Sequence, residues 1–195
     1  MVDELAAEAP GRTVVRRHLG QDPLPADAWA AAVSGGFVPE AERTEAQRAA
    51  LATATRLAGE LQEATAVVVA FPLYNFGISQ HAKAWIDLAL AGAPHGTRLL
   101  DGTPTVLVVT RGGAYGPGTP REGWDHNTDY LRKILADTWG ADLTVVEREF
   151  TLVGVNPALD EFTELAALLH RTATEAASEA GRALATRTSA GGRAA

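Results

Sequence analysis

Two short stretches hold the residue types that recognition of a flat ligand would need, Leu73-Tyr74-Asn75-Phe76 and Thr110-Arg111-Gly112-Gly113. The first offers a side-chain amide able to pair with a polar ring edge, two aromatic faces, and backbone donors beside them. The second places adjacent glycines where main-chain amides can approach a ligand with no side chain between. Each stretch lies at the end of an apolar, valine-rich run, Ala66 to Phe71 and Pro104 to Thr110, of the kind that forms a strand buried on both faces. Loops leaving the carboxyl ends of parallel strands are where ligands sit in open α/β sheets, so the two stretches are expected to face one crevice. The same residues also suit a plainer use, with Tyr74 and Phe76 plugging the sheet end, Asn75 serving a turn, and the glycine pair a flexible connection. Residue types alone leave both readings open.

Other chemistries are excluded or unsupported. There is no cysteine, which removes disulfides, thiolate catalysis, zinc–thiolate sites and cysteine-held iron–sulfur clusters. The five histidines, His18, His81, His95, His126 and His170, show no metal-ligand spacing, and Asp125, His126 and Asp129 read as an acidic helix start. No Gly-x-Ser-x-Gly elbow, Walker-type loop or Gly-x-Gly-x-x-Gly fingerprint occurs. A formal net charge of −7 argues against nucleic acid as the main partner. Asp3, Glu4 and Glu8 stand where a signal peptide would carry positive charge, and no apolar run approaches membrane-spanning length. A cytoplasmic protein without membrane contact is the expectation.

The elements that must position the two stretches follow from periodicity and punctuation. Val2 to Glu8 reads as the last turns of a helix closed by Pro10-Gly11, and Thr13 to Leu19 as a strand. Residues 26 to 42 read as an irregular excursion with one helical turn around Trp29 and a Gly35-Gly36 turn. Thr44 caps a helix to Glu63, with Gln47 completing a capping box. Ser79 is the expected N-cap of a helix to about Ala91, whose stripe of Ile78, Ala82, Trp85 and Ala89 reads as core or subunit contact. Residues 111 to 123 hold five glycines and two prolines and are expected to be irregular. A helix from Asn127 to Trp139, an edge strand from Leu143 to Phe150, and a final helix opened by Pro157 and running to about Ala185 complete the chain. Residues 186 to 195 are expected to form a mobile tail. With 195 residues and no linker, residues 1 to 185 should make one α/β domain, a doubly wound parallel sheet with four visible strands.

Phe71-Pro72-Leu73-Tyr74-Asn75-Phe76-Gly77-Ile78-Ser79 leading into Ala82-Lys83-Ala84-Trp85-Ile86-Asp87, with Thr110-Arg111-Gly112-Gly113 one strand later, resembles the FMN-dependent NADH azoreductases. These are relatives of the NAD(P)H quinone reductases with a flavodoxin-like fold. The resemblance implies that Leu73, Tyr74, Asn75, Phe76, Thr110, Arg111, Gly112 and Gly113 hold the isoalloxazine ring of FMN. It also implies NADH or NADPH as co-substrate, a quinone or azo compound as acceptor, a ping-pong cycle, and a homodimer. Arg111 would then stand near the electron-rich end of the reduced ring or be a solvated loop residue. Tyr115 and Trp124 would line the substrate side or pack their loop on a partner. Members of that family begin with a strand and a serine-rich loop that cradles the FMN phosphate, whereas this chain is expected to start inside the following helix. The sheet would then lack its first strand and the site its phosphate loop, with a start codon placed late as the favoured explanation. The alternative is a flavodoxin-like domain with weak or no FMN binding, serving as a non-catalytic subunit or regulatory partner.

Overall fold

The valine-rich runs behave as their composition dictates. In a computed structural model, which describes residues 13–191, they form a parallel sheet of three strands in the order β1-β2-β3. These are β1 (Val67–Pro72), β2 (Pro104–Thr110) and β3 (Asp142–Arg148). The register sets Val69 opposite Leu107 and Phe71 opposite Val109, and Leu107 in turn opposite Val145. Because side chains alternate across a strand, this register divides the valines and leucines between two cores.

One core holds Val69, Phe71, Leu107 and Val109 under the helices α1 (Ala28–Gly36), α2 (Glu45–Gln62), α3 (Gln80–Ala91) and α4 (Thr128–Arg132). Leu57, Ile86, Leu107 and Leu135 are fully buried there, each worth about 1.5–3 kcal/mol relative to exposure. The other core is smaller: Val106 and Val146 meet Ala180 and Leu184 of α5 (Thr163–Gly191).

Local signals set the starts of α2 and α3. Thr44 accepts from the Gln47 amide at 3.2 Å while the Gln47 side chain accepts from the Thr44 amide at 3.0 Å, closing the expected capping box. Ser79 Oγ accepts from the Ala82 amide at 3.3 Å and starts α3, whose Ala82, Trp85 and Ala89 are buried in the larger core. Gly92 ends α3 against α2. A Cβ there would collide with the backbone carbonyl of Ala54, so only glycine permits this crossing.

Five expectations need correction or qualification. Thr13 to Leu19 is not a strand, because a strand exists only through a ladder and no strand lies beside it among the described residues. Arg17 instead ties this segment to α2 through both carboxylate oxygens of Glu60 at 2.8 Å. The excursion at 26 to 42 contains a nine-residue helix, α1, followed by a 3-10 turn at Glu40–Glu42. Gly35 belongs to that helix and lets it approach Gln47 and Leu51 of α2 closely. The helix expected from Asn127 to Trp139 continues past α4 as π-helix over Lys133–Thr138, closed by the Trp139 amide on Ile134 O at 2.8 Å. That wide turn delivers Trp139, fully buried, edge-on to Trp85 at 5.5 Å. The third strand stops at Arg148, since Phe150 takes a positive φ of 58° that no strand accommodates.

The last helix, preceded by a 3-10 turn at Pro157–Phe162, extends to Gly191 rather than about Ala185. Arg187 pairs with Asp142 of β3, and the buried Thr188 hydroxyl bonds back to Leu184 O at 2.8 Å. The reading of Val2 to Glu8 as helix lies outside the described residues. No described helix is long and apolar enough to cross a membrane.

Candidate functional site

The first loop begins by extending the sheet. Leu73 follows β1, is nearly buried, and donates its amide to Thr110 O at 2.8 Å. Tyr74 and Gly77 then exchange both backbone hydrogen bonds, at 3.1 and 3.0 Å, around a two-residue turn. Its central residues Asn75 and Phe76 have φ of 48° and 67°, the mirror-image geometry in which both central positions need positive φ. Asparagine tolerates that region, but for phenylalanine it costs about 1–2 kcal/mol. The turn therefore holds an aromatic side chain where glycine would be cheaper. Tyr74 is 59% and Phe76 42% exposed. The Asn75 side chain and the amides of Asn75 and Phe76 have no partner among the described residues.

The second loop is built in the opposite way. Arg111 donates its amide to Arg148 O at 2.8 Å, and its carbonyl accepts from the Thr151 amide at 3.0 Å and hydroxyl at 3.1 Å. Gly112 and Gly113 carbonyls accept from the amides of Leu152 and Phe150 at 3.2 and 3.3 Å. With their carbonyls turned toward the segment after β3, the amides of both glycines find no acceptor among the described residues. A Cβ at Gly112 would press on Leu152 and one at Gly113 on the guanidinium of Arg121, so both glycines sit under close neighbours.

Arg111 is neither solvated nor free. Its side chain is 7% exposed, with Nε on Asp125 at 2.6 Å, Nη1 on Glu147 at 2.6 Å, and Nη2 on Thr128 Oγ1 at 3.0 Å. Glu149 lies 3.5 Å from Nη1 and also accepts from the Tyr115 amide at 2.7 Å. Burial works against the charge of Arg111, yet the carboxylates of Glu147 and then Asp125 outweigh it and hold its pKa above the ordinary arginine value. Asp125 is desolvated as well. Hydrogen bonds from the Thr128 hydroxyl, the Thr128 and Asn127 amides, and Arg111 overcome that burial and hold its carboxyl below the ordinary range.

A third segment, residues 124 to 128, meets both loops. Asp125 Oδ1 accepts from the amides of Asn127 and Thr128 at 2.8 and 2.9 Å, which starts α4 as the acidic residues had suggested. The His126 amide donates to Phe76 O at 2.9 Å. The Trp124 ring stands edge-on to Phe76 at 5.5 Å, and the Tyr115 ring does so at 6.5 Å, with Arg121 over the Tyr115 face at 5.6 Å. Asn127 is completely buried, and its side-chain amide has no partner among the described residues.

All eight residues singled out from the sequence therefore lie at the carboxyl ends of the adjacent strands β1 and β2. In sequence, Asp125 and His126 read as a helix start and Trp124 as a residue of the substrate side or of a partner contact; the structure sets Trp124 against Phe76 instead. The Asp-His-Asn-Thr run carries the signal for capping, but nothing in it tells which distant cation would share the carboxylate. Chemically the site offers unspent amide donors, one side-chain amide and exposed ring edges. Among the described residues it offers no cluster able to hold a metal.

A family profile described as a flavodoxin-like fold matches residues 1–173. The chain is 37% identical over 181 residues to an FMN-dependent NADH:quinone oxidoreductase of Streptomyces avermitilis, covering 91% of this chain and 83% of that protein. A Kineococcus radiotolerans protein of the same name is 41% identical over 172 residues, covering 84% and 76%. Among solved structures, azoreductase AzrA superposes with a TM-score of 0.72 at 23% identity over 95% of this chain and 87% of that one. An FMN-dependent NADH-azoreductase from Bacillus anthracis in complex with FMN gives 0.70 at 20% identity, over 94% and 87%. These two structures support the fold.

Proposed function

The chain belongs to the flavodoxin-like family of FMN-dependent NADH:quinone oxidoreductases, and from that membership we propose that it reduces quinones or azo compounds with NADH or NADPH at the crevice between the two loops. The observation that carries this reading is the pair of loops with unspent backbone donors and exposed rings at the mouth of neighbouring parallel strands. Such a donor set fits a planar ring that carries carbonyl oxygens and ring nitrogens along its edge. FMN, when bound, accepts a hydride from the nicotinamide and passes it to the acceptor, which is why the protein needs no nucleophile of its own.

The chain's residues bind and orient. Asn75 offers its side chain and amide to the polar edge of the ring, Gly112 and Gly113 offer amides from the other loop, and Tyr74 and Phe76 supply apolar faces. Leu73 and Thr110 join the two loops through their shared ladder bond. Arg111, its side chain engaged by carboxylates, contributes by keeping the second loop in place. In this reading donor and acceptor use the same crevice in turn, the oxidised donor leaving before the acceptor enters, which is a ping-pong order. Two copies of the chain form the working unit in this reading, and the cytoplasm is its compartment.

Titrating FMN into the purified chain, then following NADH oxidation with a quinone, tests the proposal. Stoichiometric quenching of flavin fluorescence and parallel initial-rate lines are expected. A folded chain that leaves FMN free would overturn it and favour a non-catalytic role.

A further inference from the structure

Loops one and two share a single direct backbone bond, from Leu73 to Thr110, yet both are gripped by the segment 124 to 128. On one side the Asp125 carboxylate receives Arg111 Nε at 2.6 Å, and the Thr128 hydroxyl receives Arg111 Nη2 while donating to Asp125 at 2.7 Å. On the other side the next residue, His126, donates its amide to Phe76 O, and the preceding Trp124 meets the Phe76 ring. We infer that Asp125 is the positioning residue that couples the two loops, so that the strained turn at Phe76 and the glycine loop at Arg111 hold their relative placement through one carboxylate. This inference rests on the functional reading above for its consequence in FMN binding, but not for the coupling itself.

The physical reason is the number of bonds converging on one group. Asp125 accepts four hydrogen bonds, two from backbone amides of its own segment, one from a hydroxyl and one from a buried cation. Charge-assisted bonds of this kind are short and directional, so they fix geometry as well as energy. The side chain is only 11% exposed, and water cannot easily replace a lost partner. The positive φ of Phe76 persists only where surrounding contacts over-determine it, and the His126 bond is such a contact.

The test uses the full chain as wild type, Asp125→Asn and Thr128→Val. Amide hydrogen exchange at His126 reports the grip on the first loop, and fluorescence titration with FMN together with the visible circular dichroism of bound flavin reports the site. For Asp125→Asn, exchange at His126 should quicken about tenfold or more and FMN affinity fall by about tenfold, with a changed flavin spectrum, while Leu107 of β2 keeps its protection. Thr128→Val, the variant that decides if Asp125→Asn does not fold, should move the same readouts by about threefold. A lower melting temperature with unchanged His126 exchange would overturn the coupling, since a merely structural residue gives that result. If the wild type bound no FMN, the functional reading would fall while exchange at His126 still decided the coupling.

Discussion

The two loops stand side by side at the end of one sheet and are made by opposite means. Tyr74 to Gly77 is open: its turn is closed by two backbone bonds, its aromatic rings and amide face outward, and two non-glycine residues carry positive φ. Arg111 to Gly113 is tied down, with a buried guanidinium held by carboxylates and carbonyls paired to the segment after β3. The exposed rings and the Asn75 side-chain amide are thus concentrated in the strained loop, and rigidity in the paired one. Strain at such a turn is tolerable only next to something that does not yield. Natural sites need both, because a side chain presented without support loses affinity to its own freedom.

That contrast can be broken at its rigid side first. Arg111→Met should leave Asp125 and Glu149 without their cation and cost about 3–5 kcal/mol, as removal of one partner of a buried pair does. Glu147 is 39% exposed and regains water, which places the expectation at the low end of that range. Urea denaturation measures it, and a loss under about 1 kcal/mol would show that the second loop is not the stiff partner.

Acid should act on the same cluster next. The Asp125 carboxyl titrates below its unfolded value, so its stabilising contribution is complete above the ordinary carboxylate range near pH 4 and is lost as pH falls through that range toward the native value. The groups facing it are Arg111, which stays charged throughout, and the hydroxyl of Thr128. Wild type should therefore lose stability faster than Asp125→Asn between about pH 5 and pH 3. Parallel acid profiles for the two proteins would contradict the role of that carboxylate.

On the open side the effects fall on binding rather than folding. Asn75→Gly keeps a residue suited to positive φ and removes only the amide, so FMN affinity should drop about threefold to tenfold, the worth of one hydrogen bond. Isothermal titration calorimetry on both proteins checks this, and equal affinities would mean that Asn75 serves the turn alone. Phe76→Gly should have the smallest effect on the fold. Relief of about 1–2 kcal/mol of backbone strain offsets the lost ring contacts with Trp124 and Tyr115, each worth about 0.5–1.5 kcal/mol. A melting midpoint that falls by more than about 5 °C would show the ring to be a structural plug.

The sequence by itself determined the parallel strands at Val67–Pro72 and Pro104–Thr110, the caps at Thr44 and Ser79, and the two loops at the strand ends. These are local matters: β-branched runs, capping residues and turn punctuation act within a few positions of themselves. It did not reveal that Thr13 to Leu19 would lack a ladder, since a strand depends on a neighbour that its own residues cannot specify. Nor did it reveal the π-turn before Trp139, because the ring that Trp139 meets, Trp85, lies on a different helix far away in sequence. Only the tertiary structure decided the fate of Arg111, which looks in sequence like any loop arginine beside two glycines. Its partners Asp125 and Glu147 lie 14 and 36 residues away, and the desolvation that makes their pairing matter arises only when β2, β3 and the start of α4 close around one guanidinium.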